Sequence, residues 1–290
     1  MKHVVIINRM AKQKNLKELL KEMETTFRAR ALPYAIHLTK GSAEADAIIA
    51  SYHDPCRFYI CGGDGTLHEV INALQGSSHE LVLIPCGTGN DFSRMLKDRK
   101  DILAHFRHSL AKEAKAIDVL KVNDHYCINA ACFALDSDIA KHVHDENWSL
   151  IPRKLAYLTT VLRRVFVYPC NEVELIADGR HVYQGKALFL ACNNAKFYGG
   201  GFCFTPDAKL DDGKMDVCLI RSFPRWRILY KCPALLGNKP QRLKECSIFQ
   251  CEHLQVLSKQ GMNLDGEPYP DDRIEITVLP KAIRLVNEIK

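Results

Sequence analysis

The chain has 290 residues, 47% of them hydrophobic and 26% charged, and a formal net charge of +6. It is long enough for two cores; no run approaches the roughly 18 apolar residues of a membrane span, and the first ten residues are too polar and short for a signal peptide. The mild basic excess fits an anionic substrate or an anionic membrane surface, and no nucleic-acid partner is expected from it.

Twelve cysteines argue against a disulfide framework, because they lie singly, several of them (Cys127, Cys132, Cys192, Cys218) in apolar stretches, and no CxxC occurs. Reduced thiols in a cytoplasmic protein are expected, without a zinc site. The pair His142 and His144 reads as a solvated helix face rather than as metal ligands.

In chain order, residues 4–7 read as a first strand and 14–30 as an amphipathic helix with Leu16, Leu19, Leu20 and Met23 inward. Residues 34–39 form a second strand. Ser42 caps a helix through Ile49, with Glu44 and Asp46 in its first turn. A third strand, 57–60, runs into CGGDGTLHEVINAL (61–74), where Leu67, Val70, Ile71 and Leu74 share one helical face. A fourth strand, 81–84, runs into PCGTGNDF (85–92) and a short helix. Four strand–helix units of this kind predict an α/β half with a parallel sheet.

After Leu110 the pattern changes. Residues 116–122, a turn at Asn123-Asp124 and residues 125–133 predict a hairpin, and strands follow at 172–177 and 182–193. Short strands with frequent turns predict a mainly antiparallel β-sandwich. Between them, residues 148–167 read as a helix with Leu155, Leu158 and Leu162 packed on the sandwich and Arg153, Lys154, Arg163 and Arg164 outward; on the functional reading that basic side rests on an anionic bilayer.

Two glycine-rich loops at neighbouring strand ends converge at the carboxyl edge of one sheet, where open α/β sheets bind ligands. Gly62, Gly63 and Gly65 let the backbone take positive φ and let a ligand approach the main chain, and their N–H groups with the helix start near Thr66 make a cradle suited to phosphate. Asp64 is the odd residue there: it holds a magnesium ion, accepts a proton, turns away to bond backbone or sugar, or simply caps the helix. The segment 194–216 carries Gly199-Gly200-Gly201 and the turn Asp211-Asp212-Gly213, and NLDGE (263–267) closes the series.

GGDGTLHEVINAL followed by PCGTGNDFSR closely resembles the diacylglycerol-kinase catalytic domain of the soluble bacterial lipid kinases. NAD kinases and 6-phosphofructokinases carry related GGDGT loops, so the specific feature is the pair in this order and spacing; the resemblance covers nearly the whole chain. It implies a nucleotide-binding domain over 1–120, to which about 278–290 return, and a lipid-substrate sandwich over 121–277. It implies ATP bound around Asn8, Thr39, Gly62, Gly63, Asp64, Gly65, Thr66, Leu67, His68, Thr88, Gly89 and Asn90. A catalytic Mg²⁺ would lie near Asp64 and Asp118, with Asp118 orienting Asp64 and water. A structural Mg²⁺ would take the Asp212 side chain and the carbonyls of Lys209 and Lys214.

The resemblance also makes Glu267 the base that takes a proton from a lipid hydroxyl, with diacylglycerol the first candidate and phosphatidic acid its product; relatives acting on sphingoid lipids give that role to the loop aspartate. A cytoplasmic enzyme peripheral at the membrane is implied, and a homodimer is compatible with the sequence. Two departures stand out. Relatives have Asn-Pro-x-Ser-Gly after strand one where this chain has Asn8-Arg9-Met10-Ala11-Lys12, so only Asn8 is kept, with Arg9 and Lys12 as replacement charge; and Ala134 stands where they usually have glycine. A kinase for a soluble nucleotide and a nucleotide-binding regulator without turnover are the alternatives.

Overall fold

The structure is a computed structural model that describes residues 1–9, 15–39, 44–97, 99–135, 138, 164, 167–227, 231, 234, 237–259 and 261–290. The expected helix over 148–167 (apart from 164 and 167), the pair His142 and His144, the Ser42 cap and residues 10–12 lie outside the described residues.

The first half alternates β1 (Lys2–Asn8), α1 (Leu16–Ala29), β2 (Tyr34–Thr39), α2 (Glu44–Ala50), β3 (Cys56–Gly62), α3 (Asp64–Ala73), β4 (Glu80–Pro85) and α4 (Ile102–Ser109). Its strands pair in parallel in the order β2-β1-β3-β4. Both faces are covered, so the apolar runs of β1, β3 and β4 are buried, while the edge strand β2 is half-buried and leaves Leu38 exposed. Val4 and Ile6 pack with Leu67, Val70 and Ile71 of α3 on one side; Val5 and Ile7 pack with Leu19, Met23 and Phe27 of α1 on the other. The helical faces expected from periodicity are those found inside, with Leu16 and Leu20 half-buried at the margin.

The second half continues through β5 (Lys115–Val122), β6 (His125–Cys127), β7 (Ala130–Ala134), β8 (Glu172–Ala177), β9 (Arg180–Asn193), β10 (Met215–Arg221), β11 (Cys246–Cys251), β12 (His253–Ser258), β13 (Met262–Leu264), β14 (Glu267–Tyr269) and β15 (Arg273–Leu285). These make a mostly antiparallel β-sandwich whose two sheets enclose Leu175, Leu190, Val217, Leu254, Val256 and Ile276. The long β9 serves both sheets, pairing with β8 through its first half and with β7 and β10 through its second.

One expectation is corrected. The hairpin is cut short: Val122 pairs with His125 and Leu120 with Cys127, but β7 leaves to pair with β9 and β13. The chain is diverted at residues 128–130, whose amides bond the Asp265 carboxylate while the Asn194 amide takes the Ile128 carbonyl.

The last strand ties the halves together. β15 pairs antiparallel with β12 and β5, then shifts register near Lys281, a residue of positive φ (56°), and ends parallel to β4. Beyond it, the buried Asn287 side chain substitutes for a strand, its Oδ1 accepting from the Leu83 amide at 2.6 Å and its Nδ2 donating to the Leu83 carbonyl at 2.9 Å. Asn287→Ala would leave both groups of Leu83 buried without a partner, at about 1–3 kcal/mol each. The expected outcome is a loss of roughly 2–5 kcal/mol in urea unfolding, with the native far-UV spectrum retained.

Candidate active site

The two glycine loops meet where β3 and β4 end. The Cys86 amide donates to the Gly62 carbonyl at 2.8 Å, and the main chains touch. A Cβ on Gly87 would come within 2.5 Å of the Gly63 Cα, and one on Gly62 within 2.6 Å of the Thr66 Cβ. None of Gly62, Gly63, Gly65, Gly87 or Gly89 takes a positive φ; Asn90 does (49°). The freedom to take positive φ is thus unused at Gly62, Gly63 and Gly65: Gly63, Gly87 and Gly89 exclude a side chain because one loop packs on the other, and Gly62 because Thr66 of the helix that follows lies against it.

Asp64 turns away from the cradle. Its Oδ1 accepts from the amides of Asp91 (2.8 Å) and Phe92 (3.4 Å), capping the short 3-10 helix Phe92–Met95, and its Oδ2 would lie 2.8 Å from a Cβ on Gly89. Burial, reinforced by the charge of Asp91, pushes its carboxyl up to about 6. The bond to backbone, one of the readings open at Asp64, is present. Asn90 closes the second loop on itself, exchanging bonds with the Gly87 amide and carbonyl, while Thr88 is exposed on the rim.

Donors remain at the start of α3. Its first intrahelical bond runs from the Leu67 amide to the Gly63 carbonyl at 3.0 Å, so the amides of Asp64, Gly65 and Thr66 precede the ladder, at the positive end of the helix. Leu67 itself is spent, its amide on Gly63 and its side chain in the core. Asn8 donates to the Thr66 hydroxyl at 2.8 Å, and Thr39, buried at the end of β2, donates to the Ile7 carbonyl. The ends of β1, β2 and β3 thus gather Asn8, Thr39 and residues 62–66 on one edge.

The sandwich reaches this edge through the β13–β14 turn. Asp265, at positive φ (51°), buries its carboxylate against the amides of Ile128, Asn129 and Ala130 and the Cys127 thiol, and His68 Nδ1 lies 3.2 Å from its Oδ2. His68 Nε2 meets the Tyr269 hydroxyl at 3.2 Å. Burial works against the charge of both partners. The contact with Asp265, with the charges of Glu267 and Glu69, nevertheless raises His68, and the bonds from His68, Cys127 and Ile128 hold Asp265 below its ordinary value. Both ring nitrogens of His68, a residue expected at the nucleotide, thus join the domains. Two residues on, exposed Glu267 stands over the helix start, its Oε1 3.7 Å from a Cβ placed on Gly65.

Asp118 is elsewhere. Its two carboxylate oxygens accept from the amides of Gly213 (2.7 Å) and Lys281 (2.8 Å), and the acids whose charges bear on Asp64 are Asp91 and Asp265. No hydrogen bond joins Asp118 to Asp64 among the described residues: a buried carboxylate takes the nearest amides, and here these belong to the 211–214 turn and the β15 crossover. Asp212 is exposed and its Oδ1 accepts from the Lys214 amide at 3.2 Å. Among the described residues no group of three or more His, Cys, Asp and Glu could hold a metal ion. One carboxylate with main-chain carbonyls and water is nevertheless an oxygen set of the kind Mg²⁺ accepts.

Sequence reasoning did not single out Asp91, Arg94 or Asp265. Asp91 bonds Arg94 and the Gly200 amide, while Arg94 reaches the Gly200 carbonyl and fills the space a Cβ on Gly201 would occupy. The Gly199-Gly200-Gly201 cluster is thereby a docking turn for the second loop. At Ala134 the backbone has φ 63°, so the residue that departs from the relatives' glycine holds a glycine-like conformation at a cost of roughly 1–2 kcal/mol.

Residues 2–122 match the diacylglycerol kinase catalytic domain, and residues 130–287 match the YegS C-terminal NAD kinase beta sandwich-like domain. A protein named probable lipid kinase YegS-like in Shewanella frigidimarina is 31% identical over 240 residues, 79% of this chain and 76% of that one. The chain belongs to the YegS-like lipid kinase family. A similarly named protein of Enterobacter sp. is 27% identical over 92% of this chain and 90% of its own. The fold is also that of a diacylglycerol kinase from Bacillus anthracis (TM-score 0.76, 23% identity, 99% of this chain and 97% of that one). An NAD kinase from Archaeoglobus fulgidus shares it more distantly (TM-score 0.55, 13% identity, 99% and 93%). Family membership makes the chain a phosphotransferase of the lipid kinase class, which uses ATP. Among the described residues no helix is long and apolar enough to cross a membrane.

Two outcomes are expected. Gly87→Ala, which drives a methyl into the Gly63 main chain, is expected to lower ATP affinity at least about tenfold, because 1.4 kcal/mol of loop displacement suffices; equilibrium dialysis measures it. His68 has a folded pKa above its unfolded value, so its stabilisation is complete below the unfolded pKa of about 6.5 and is lost as pH rises through the higher folded value. The stability gap between the parent and His68→Gln is therefore expected to narrow on going from pH 6 to alkaline pH in urea unfolding.

Proposed function

We propose that the chain transfers the γ-phosphate of ATP to the hydroxyl of diacylglycerol, giving phosphatidic acid, with Glu267 as general base. The observation that carries the reading is the position of the Glu267 carboxylate opposite Gly65, where the donor-bearing first turn of α3 begins. Phosphoryl transfer asks mainly for positioning and charge neutralisation.

In this mechanism the amides of Asp64, Gly65 and Thr66 hold the transferring phosphate, and Asn8, through its bond to Thr66, and Thr39 line the approach from β1 and β2. The acceptor lipid enters from an anionic membrane surface between the domains. Glu267 accepts the hydroxyl proton as the oxygen attacks phosphorus. Asp64 keeps the second loop in place through Asp91 and Phe92. Asp212 with the carbonyls of Lys209 and Lys214 would hold a structural Mg²⁺, and Asp118 shapes that turn through Gly213. Mg²⁺ supplies neutralisation of phosphate charge when bound.

The test is a radiolabelled-ATP assay over a panel of micellar lipids, with NAD as soluble control and thin-layer separation of products. Labelled phosphatidic acid with no labelled NADP supports the reading; labelling of another lipid alone, or of NAD, overturns the acceptor assignment. Glu267→Gln is expected to lower kcat by about 10²–10⁴ while ATP affinity stays near the parent value. Retention of more than about a tenth of kcat would remove Glu267 as the base.

A further inference from the structure

A second concave site lies wholly within the sandwich, lined by residues between 177 and 250. It lies along the first part of β9, residues 180–183, where that strand pairs with β8. Its volume, about 580 Å³, is within the range of small-molecule sites. Its floor is apolar and continuous with the inter-sheet core: Ala177 and Leu219 belong to that core, and Tyr183 and Phe249 pack on it.

The local backbone is shaped around this groove. Leu175 pairs with Tyr183 and Ile176 with His181, so Val182 is an extra residue in a β-bulge and stands 45% exposed at the edge. Tyr183 is fixed as a wall. Its hydroxyl donates to the Lys186 carbonyl at 3.0 Å, beside Gly185, whose φ of 152° and missing Cβ leave room for the phenol oxygen.

Two arginines stand among these walls. Arg221 donates from Nη2 to the Lys244 carbonyl at 2.9 Å, a neutral acceptor that orients the guanidinium without cancelling its charge. Its field reaches the groove, since it draws down the Tyr183 hydroxyl that burial pushes up. Arg180 is the second cation, and the one acid among the described lining residues, Asp178, turns its Oδ1 to the amides of Glu252 and His253. An apolar floor with a guanidinium rim is complementary to an alkyl chain ending in a planar or tetrahedral oxyanion.

We propose that this groove binds a single-chain anionic amphiphile, the acyl tail between the sheets and its terminal carboxylate or phosphate on Arg180 and Arg221. The shared chemistry is an alkyl chain with an anionic end, supplied either by a fatty acid or by a lysophospholipid. The inference stands apart from the kinase reading, because none of the described lining residues belongs to the cleft above α3.

The experiment is isothermal titration of the full chain, below micellar concentration, with palmitate, palmitoyl lysophosphatidate, hexadecanol and inorganic phosphate. One anionic amphiphile per chain is expected to bind at least about tenfold more tightly than hexadecanol or phosphate, charged hydrogen bonds accounting for the difference. The preferred anion identifies the source. Arg180→Ala, at an exposed position, is expected to weaken binding roughly tenfold, and Ser247→Trp, which fills the groove, to abolish it, both with unchanged ATP-dependent turnover in detergent. Equal affinity for palmitate and hexadecanol, no amphiphile binding by the parent chain, or parental palmitate affinity in both variants would overturn the proposal.

Discussion

Burying a carboxylate between two domains is unfavourable unless its charge is met on every side, and the arrangement of this molecule follows from how Asp265 is met. Three successive amides and a thiol come from the segment that leaves the β5–β6 hairpin, and the fifth partner is His68 on α3. Satisfying that one group fixes three things together. It diverts residues 128–130 into the second sheet, docks the β13–β14 turn on the helix that carries the phosphate-type cradle, and sets Glu267 above Gly65. The acid that faces the cradle is exposed; the acid that positions it is buried.

The other contacts between the halves repeat this logic. Asp91 and Arg94 of the first half grip the Gly199–Gly201 turn of the second, and within the second half Asp118 grips the 211–214 turn and the β15 crossover. β15 itself runs from the sandwich into the parallel sheet beside β4. A cleft assembled from several charged clasps and one shared sheet holds its two walls in register, as a transfer reaction that depends on position requires.

Much of this was legible in the sequence. The α1 and α3 faces follow from helical periodicity, and the strand–glycine–helix order follows from the residues around 57–67. The reason for the glycines was not legible, because Gly63 and Gly87 answer to each other across 24 positions of chain and a local reading sees only turn preferences. Asp118 was assigned a partner near the cleft, yet its amides come from 95 and 163 residues away. Asp265 was hidden inside LDGE, where an acidic residue before glycine reads as a turn; only the fold reveals that its side chain points inward. Asp91 stood in a quoted motif, but its partner at Gly200 lies 109 residues on.

The central claim is that the first turn of α3 holds the transferring phosphate with Glu267 opposite. A crystal structure with a non-hydrolysable ATP analogue tests it most directly. The terminal phosphate is predicted within hydrogen-bonding distance of the amides of Asp64, Gly65 and Thr66, with the Glu267 carboxylate facing it and the His68–Asp265 contact kept. A triphosphate seated away from that turn, or Glu267 directed out of the cleft in the loaded enzyme, would contradict the account.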